Sequence, residues 1–301
     1  MLIRKQILDT VEFPVRIDLL HIVCQSRGKQ DMPFTGNINL QVEKVIGTGV
    51  TVRKSKDSTL CKIPYEIRIL DTSYLSEIIR LQQVIIEGLP RTDMLQPFSE
   101  CFMKEHIGER GFILGVVSGS SLIAFRNVYF PDMDDPEWNL GIDLGLPESS
   151  LCKVANFQLV CVHPDFLGNS LALVMNRHAI SILRRMETYE HLCATVSPYN
   201  FWNVKILLES GFVIKKLMIK YGGKLRYLVH QNLKNPGMSP SDPELMVSLT
   251  DFVKQEKLFN AGWLGTMLAG RQVRENGSAE RPNTTFENTL RNLEIGFVNK
   301  L

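Results

Sequence analysis

Chemistry is most concentrated in residues 158–177, which read Q-L-V-C-V-H-P-D-F-L-G-N-S-L-A-L-V-M-N-R. The pattern is a buried strand that stops at Pro164, a short turn carrying Gly168, and a helix that opens near Ser170. The first N–H groups of a helix have no internal partner and lie at the positive end of its dipole. Such a helix start binds phosphate oxygens without needing a charged side chain. Small residues at Gly168, Ser170 and Ala172 let an anion approach the backbone closely. A second informative stretch, 194–212, reads A-T-V-S-P-Y-N-F-W-N-V-K-I-L-L-E-S-G-F.

These residues need a frame to position them. Residues 65–70 are predicted as a strand, Asp71, Thr72 and Ser73 as N-cap residues, and Leu75, Ile78, Ile79, Ile85 and Ile86 as one face of a helix. A shorter helix over 96–107 follows, then strands 112–117 and 122–130 joined at Ser118-Gly119-Ser120. Residues 131–150 read as a long acidic loop. Residues 156–162 are almost continuously apolar, which suggests a strand buried on both faces. Beyond them the pattern predicts a helix over 170–185, a strand over 192–196 and a helix over 200–209. Strands 212–221 and 224–230 then flank a two-residue turn at Gly222-Gly223. Leu245, Leu249, Phe252 and Val253 suggest an amphipathic helix, and 271–285 a mobile polar loop. The first 62 residues alternate apolar and polar over short runs punctuated by glycine, as in a small antiparallel β unit.

Taken together, 158–177 and 194–212 resemble the GNAT superfamily of acyl-CoA-dependent N-acyltransferases, with the likeness spanning about residues 65–233. The family pattern V-x-P-x-x-(R/Q)-G-x-G-x-(G/A) is met by Val162, Pro164, Gly168 and Ala172, with Ser170 replacing a glycine and Leu167 replacing the usual Arg or Gln. Asn200 and Gly211-Phe212 fall at the spacing of the family's later motif. Leu207 stands where a tyrosine often protonates the departing CoA thiolate. The resemblance implies an acetyl-CoA cosubstrate with its pyrophosphate on Leu167, Gly168, Asn169, Ser170, Leu171 and Ala172. It also implies a pantetheine arm along Leu159, Val160, Cys161 and Val162, between two strands that splay apart, with Asn200 nearby. A backbone N–H of 159–162 would polarise the thioester carbonyl.

The catalytic residues stay unassigned by the sequence. No Asp or Glu occupies 156–162 to serve as the base. Asn200, Tyr199 and His163 are weak candidates, and Tyr221 is another phenol without a motif position. Cys161 could accept an acyl group, but its apolar neighbours suggest an inert thiol. Asn156 and Gln158 could orient an amine from the strand. The loop 131–148 holds Asp132, Asp134, Asp135, Glu137, Asp143 and Glu148 with no Lys or Arg, and would attract a cationic amine.

Composition sets outer limits. The chain has 301 residues, 34 Lys+Arg against 32 Asp+Glu, a net charge of +2, and 44% hydrophobic residues. That is globular usage, without the basic stripe that nucleic-acid binding needs. No apolar run approaches the ~20 residues of a membrane helix. Six cysteines without a C-x-x-C pair suggest free thiols in a reducing compartment and no metal site. The expected fold is therefore α/β: a GNAT-type mixed, mainly antiparallel sheet flanked by helices. Three units are expected: a β-rich unit over 1–62, an acetyltransferase domain over 63–235 and a helical extension over 236–301. The expected activity is cytoplasmic acyl transfer from acyl-CoA to a small-molecule or peptide amine by direct attack in a ternary complex, without metal, nucleic acid or membrane. The alternative is a non-catalytic CoA-binding or interaction module. All cofactor motifs lie after residue 150, so 1–62 is expected to be dispensable for CoA binding. The oligomeric state is left open.

Overall fold

The computed structural model describes residues 45–54, 60–108, 110–235, 242–270 and 285–299. In the first half of the chain, strands β1 (Gly47–Lys54) and β2 (Leu60–Ile69) precede helices α1 (Leu75–Glu87) and α2 (Glu100–Glu105). Strands β3 (Gly111–Ser118) and β4 (Ser121–Tyr129) follow, then the short helices α3 (Leu140–Asp143) and α4 (Glu148–Leu151). The central crossover is β5 (Val154–Val162), α5 (Leu171–Met186) and β6 (His191–Val196). Next come α6 (Phe201–Glu209), β7 (Val213–Lys220) and β8 (Lys224–Asn232). The remainder is β9 (Leu245–Ser248), α7 (Phe252–Asn260), β10 (Leu264–Gly270), α8 (Phe286–Arg291) and β11 (Leu293–Val298).

The eleven strands among the described residues form one sheet in the order β1-β2-β3-β4-β5-β6-β8-β7-β10-β11-β9. β5 and β6 pair in parallel and the other neighbours antiparallel. The fold is the mixed, mainly antiparallel α/β class expected from the sequence. Alternation along the strands divides the core. Phe112, Leu114, Ala155, Phe157, Leu192 and Ala194 face α5 and α6. Ile113, Phe125, Leu159 and Cys161 face α1 and α2 on the other side.

Several elements differ from the sequence reading. A boundary at 62 falls inside β2, and β1 and β2 continue the central sheet; residues 1–44 lie outside the described residues. The helix expected from Leu245 and Leu249 is instead a strand, β9, before a separate α7. Residues four apart on a helix can equally be strand and turn residues. Pairing with β11 from Leu245↔Phe297 to Ser248↔Glu294 decides between them. The C-terminal extension therefore adds three strands as well as two helices. The expected loop 131–150 contains α3 and α4, and the helix expected over 96–107 spans only Glu100–Glu105. The loop expected over 271–285 falls almost wholly outside the described residues.

One buried histidine links this packing to pH. His106 lies against Phe102 and Tyr129, with ring centroids at 4.0 and 4.2 Å, and its Nδ1 is 3.0 Å from Asn127 Nδ2. Burial, reinforced by Arg110, holds its pKa down at about 3. The unfolded chain thus binds a proton between about pH 6.5 and 3 that the folded chain refuses. The contribution of His106 to stability is complete above pH 6.5 and is lost as pH falls. Urea melts should show destabilisation of at most about 1.4 kcal/mol per pH unit below pH 6 from this group. A folded His106→Gln variant should have a flatter profile, and an unchanged slope would remove His106 as the cause.

Candidate functional site

The parallel pair is short. β5 and β6 are in register only from Val154↔His191 to Phe157↔Ala194. On its other edge β5 stays paired with β4 as far as Val162↔Ala124. The register slips there, with Val128 opposite Phe157 and Asn127 opposite Leu159, so Gln158 is an extra residue. A bulge bends its strand and increases the local twist. It falls just where β5 leaves β6, and residues 158–162 have no β6 partner. The candidate pantetheine residues Leu159, Val160, Cys161 and Val162 therefore line one arm of a V in the middle of the sheet. Leu159 and Cys161 point to the α1 face, while Val160 and Val162 pack on the α5 side.

At the open end of the V, Pro164–Phe166 form one 3-10 turn, and Gly168 (φ +84°) and Ser170 (φ +59°) lead into α5. Ser170 is one of three non-glycine residues with positive φ among those described. No side chain caps α5, and among the described residues no backbone acceptor takes the N–H groups of 171–173. A Cβ on Gly168 would meet nothing within 4 Å, so the turn faces open space. A 16-residue helix with an uncapped N-terminus behind the exposed residues Gly168 and Ser170 is suited to an anion.

The N-terminal strand reaches this turn, which the sequence reading did not anticipate. Asn169 Nδ2 donates to Val52 O (2.7 Å) and Phe166 O (2.9 Å), and its Oδ1 accepts from Val52 N (3.0 Å). The amide thus imitates a neighbouring strand toward β1. Arg53 adds a forked contact to Asp165 at 3.0 and 3.2 Å, largely exposed and so worth little by itself. Residues 52 and 53 thus contact the turn that the sequence reading assigned to the cofactor, although 1–62 was expected to be dispensable for CoA binding.

The catalytic candidates scatter. Asn200 is the N-cap of α6, accepting from Asn203 N at 3.2 Å. His163 Nδ1 accepts from Asp165 N at 3.3 Å within the turn. Tyr199 lies under the Arg91 guanidinium at 3.9 Å. Cys161 is buried, and burial pushes its thiol pKa well above the ordinary value. Leu207 is a core residue of α6. Two of the six acids of the loop are ion-paired, Asp132 with Arg110 and Asp143 with Lys220, and Asp135 Oδ1 accepts from the N–H groups of Glu137 and Trp138 at 3.1 Å. These contacts weaken the case that the loop collects a cationic amine.

On the sheet face opposite α5 the fold joins two sequence candidates, Tyr221 and Asn156, to Thr195, Ser197 and Arg226, which the sequence reading did not name. Tyr221 belongs to a three-residue β7–β8 turn with φ +52°, one residue longer than expected. Its hydroxyl is 3.2 Å from Thr195 Oγ1, and Trp138 stacks on its ring at 5.4 Å. Burial raises the Tyr221 pKa to about 12, so the phenol keeps its proton. Asn156, also buried, donates through Nδ2 to Trp138 O, and its Oδ1 has no partner among the described residues. Arg226 and Ser197 join this face. The available signal was a single arginine inside the apolar run Leu225–Val229. Among the described residues no group of His, Cys, Asp and Glu could hold a metal ion, and no helix is long and apolar enough to cross a membrane.

No protein-family model matches the chain, and no curated protein does. Among solved structures it is similar to a GNAT-family acetyltransferase from Streptococcus pneumoniae, at 14% identity and TM-score 0.44, covering 56% of this chain and 98% of that one. It is also similar to the ribosomal-protein-S18-alanine N-acetyltransferase of Escherichia coli, at 15% identity and TM-score 0.40, covering 60% and 99%. A third is an N-acetyltransferase from Staphylococcus aureus Mu50, at 16% identity and TM-score 0.44, covering 57% and 99%.

Proposed function

We propose that this chain is an acyltransferase that moves an acetyl or related acyl group from acyl-CoA to an amine, by direct attack in a ternary complex. The observation that carries the reading is the parting of β5 from β6 at Phe157 and Ala194, beside the uncapped start of α5. The free edge of 158–162 offers backbone groups to a pantetheine amide, and the turn 167–172 offers N–H groups to a pyrophosphate. Bound acyl-CoA supplies the activated acyl group. The chain supplies alignment of donor and acceptor, which can contribute much of the rate. Backbone N–H groups beside the bulge are proposed to polarise the thioester carbonyl. Tyr221, held protonated in the β7–β8 turn beside Thr195 of β6, is proposed as the proton donor that Leu207 cannot be. The proposed compartment is the cytoplasm, in keeping with the free thiols of Cys61, Cys101, Cys152, Cys161 and Cys193.

The test is release of CoA thiol with an amine panel, alongside calorimetry of acetyl-CoA. Binding with turnover is expected. Binding without turnover on a broad panel favours the non-catalytic module, which the core position of Leu207 keeps in view. A smaller effect is expected at Leu167, which is 53% exposed at the turn. Leu167→Arg should tighten acetyl-CoA by about three- to tenfold at low salt through one charge-assisted contact. An equal or weaker dissociation constant would count against pyrophosphate at this turn.

A further inference from the structure

Arg226 lies on β8 with 3% of its surface exposed, and its Nη2 has no hydrogen-bond partner among the described residues. A buried guanidinium normally has a carboxylate or several acceptors. Here Nη1 donates to the carbonyl of Leu225, its own neighbour. The acid that influences it, Asp93, is already held in a fork by Arg91, at 3.0 and 2.9 Å. The nearby Lys224 adds a second positive charge and is spent on neutral oxygens, Leu95 O at 3.2 Å and Gln96 Oε1 at 2.8 Å. The locality therefore carries surplus positive charge, and its one acid, Asp93, is already paired with Arg91.

The register locates this surplus against the V. β6 and β8 pair up to Val196↔Tyr227, so Ser197 and Arg226 lie one step beyond, on the face of Thr195 and Tyr221. Ser197 is 2% exposed, and its Oγ also has no partner among the described residues. An unmatched fork donor on β8 and an unmatched hydroxyl just past the end of β6, the second arm of the V, thus share one face, one register step beyond the last pair. A planar guanidinium suits a carboxylate, which can accept from Nη2 and from a hydroxyl together.

Resting on the acyl-transfer reading, we propose that Arg226 and Ser197 hold the carboxylate of the acceptor, and that the acceptor is an amine bearing a carboxylate, as in an amino acid. Because Arg226 is enclosed, binding moves neighbouring side chains, Tyr221 among them. This replaces the cationic acceptor suggested by the acidic loop.

The experiment compares matched pairs that differ only in the carboxylate: leucine with isopentylamine, phenylalanine with phenethylamine, and 4-aminobutyrate with propylamine. CoA-thiol release is measured for each, and acetyl-CoA binding separately by calorimetry. At least one carboxylate member should exceed its decarboxylated partner by 30-fold or more in kcat/KM. Arg226→Met should abolish that preference while acetyl-CoA affinity stays within twofold. If Arg226→Met does not fold, Ser197→Ala should raise KM for the carboxylate member alone, by three- to tenfold. Equal rates across every pair, or a preference that survives in Arg226→Met, overturn the carboxylate site and leave acyl transfer standing. Failure to bind acetyl-CoA overturns the acyl-transfer reading, and this inference with it.

Discussion

Gly168→Val is expected to weaken acetyl-CoA binding by about 10- to 100-fold while leaving the fold intact. The backbone there has φ +84°, a region that L side chains rarely adopt and β-branched ones least of all. Holding valine in that conformation costs about 1–3 kcal/mol, so the turn relaxes away from the geometry that aims its N–H groups. Among the described residues, its chain neighbours aside, no atom lies within 4 Å of the new Cβ, so the cost does not arise from a clash in the core. The added bulk instead enters the open space where a phosphate would approach. Calorimetry with acetyl-CoA measures the loss, and circular dichroism and a thermal melt check the fold. Gly168→Ala should lie between wild type and valine. A folded valine variant of unchanged affinity would move the pyrophosphate elsewhere.

Asn169→Ala should cost both stability and cofactor affinity. The change removes three hydrogen bonds and strands the polar groups of Val52 and Phe166 in partly buried positions. A loss of about 2–4 kcal/mol follows from roughly 1 kcal/mol per bond plus desolvation of the unpaired groups. β1 would loosen from the turn, and acetyl-CoA affinity should fall about tenfold because the N–H groups of 168–172 are no longer held in place. Asn169→Asp keeps the acceptor for Val52 N but sets a carboxylate against the Val52 and Phe166 carbonyls, so it should be no better than alanine. Urea midpoints and calorimetry read the two effects separately. A wild-type midpoint with wild-type affinity would make the β1 contact incidental to the site.

The two motifs were readable because they are local. Pro164 ends a strand, Gly168 supplies a positive φ, and the apolar spacing of Leu171, Met175 and Ala179 is sustained over enough turns to mark a helix. The same holds for α1, where Leu75, Ile78 and Leu81 share a buried face. Each of these signals spans under twenty residues, the range over which backbone preference and hydrophobic period act.

What the tertiary structure decided involves partners distant in sequence. Asn169 is an unremarkable turn residue until Val52, 117 residues earlier, is laid beside it. Leu245 and Val247 became a strand because β11 offered an edge about fifty residues later. The bulge at Gln158 is a mismatch between two strands and so has no signature in either alone. Asp132 and Asp143 count as negative charge in a composition, but Arg110 and Lys220 answer them in space. Arg226 is one cation in an ordinary strand by sequence; its burial with an unpartnered Nη2, on the face of Ser197 and Tyr221, is visible only in the fold. A sequence therefore determines which short segments form and which can present N–H groups to an anion. Only the folded chain determines which polar groups lose water, and with it the need for a partner.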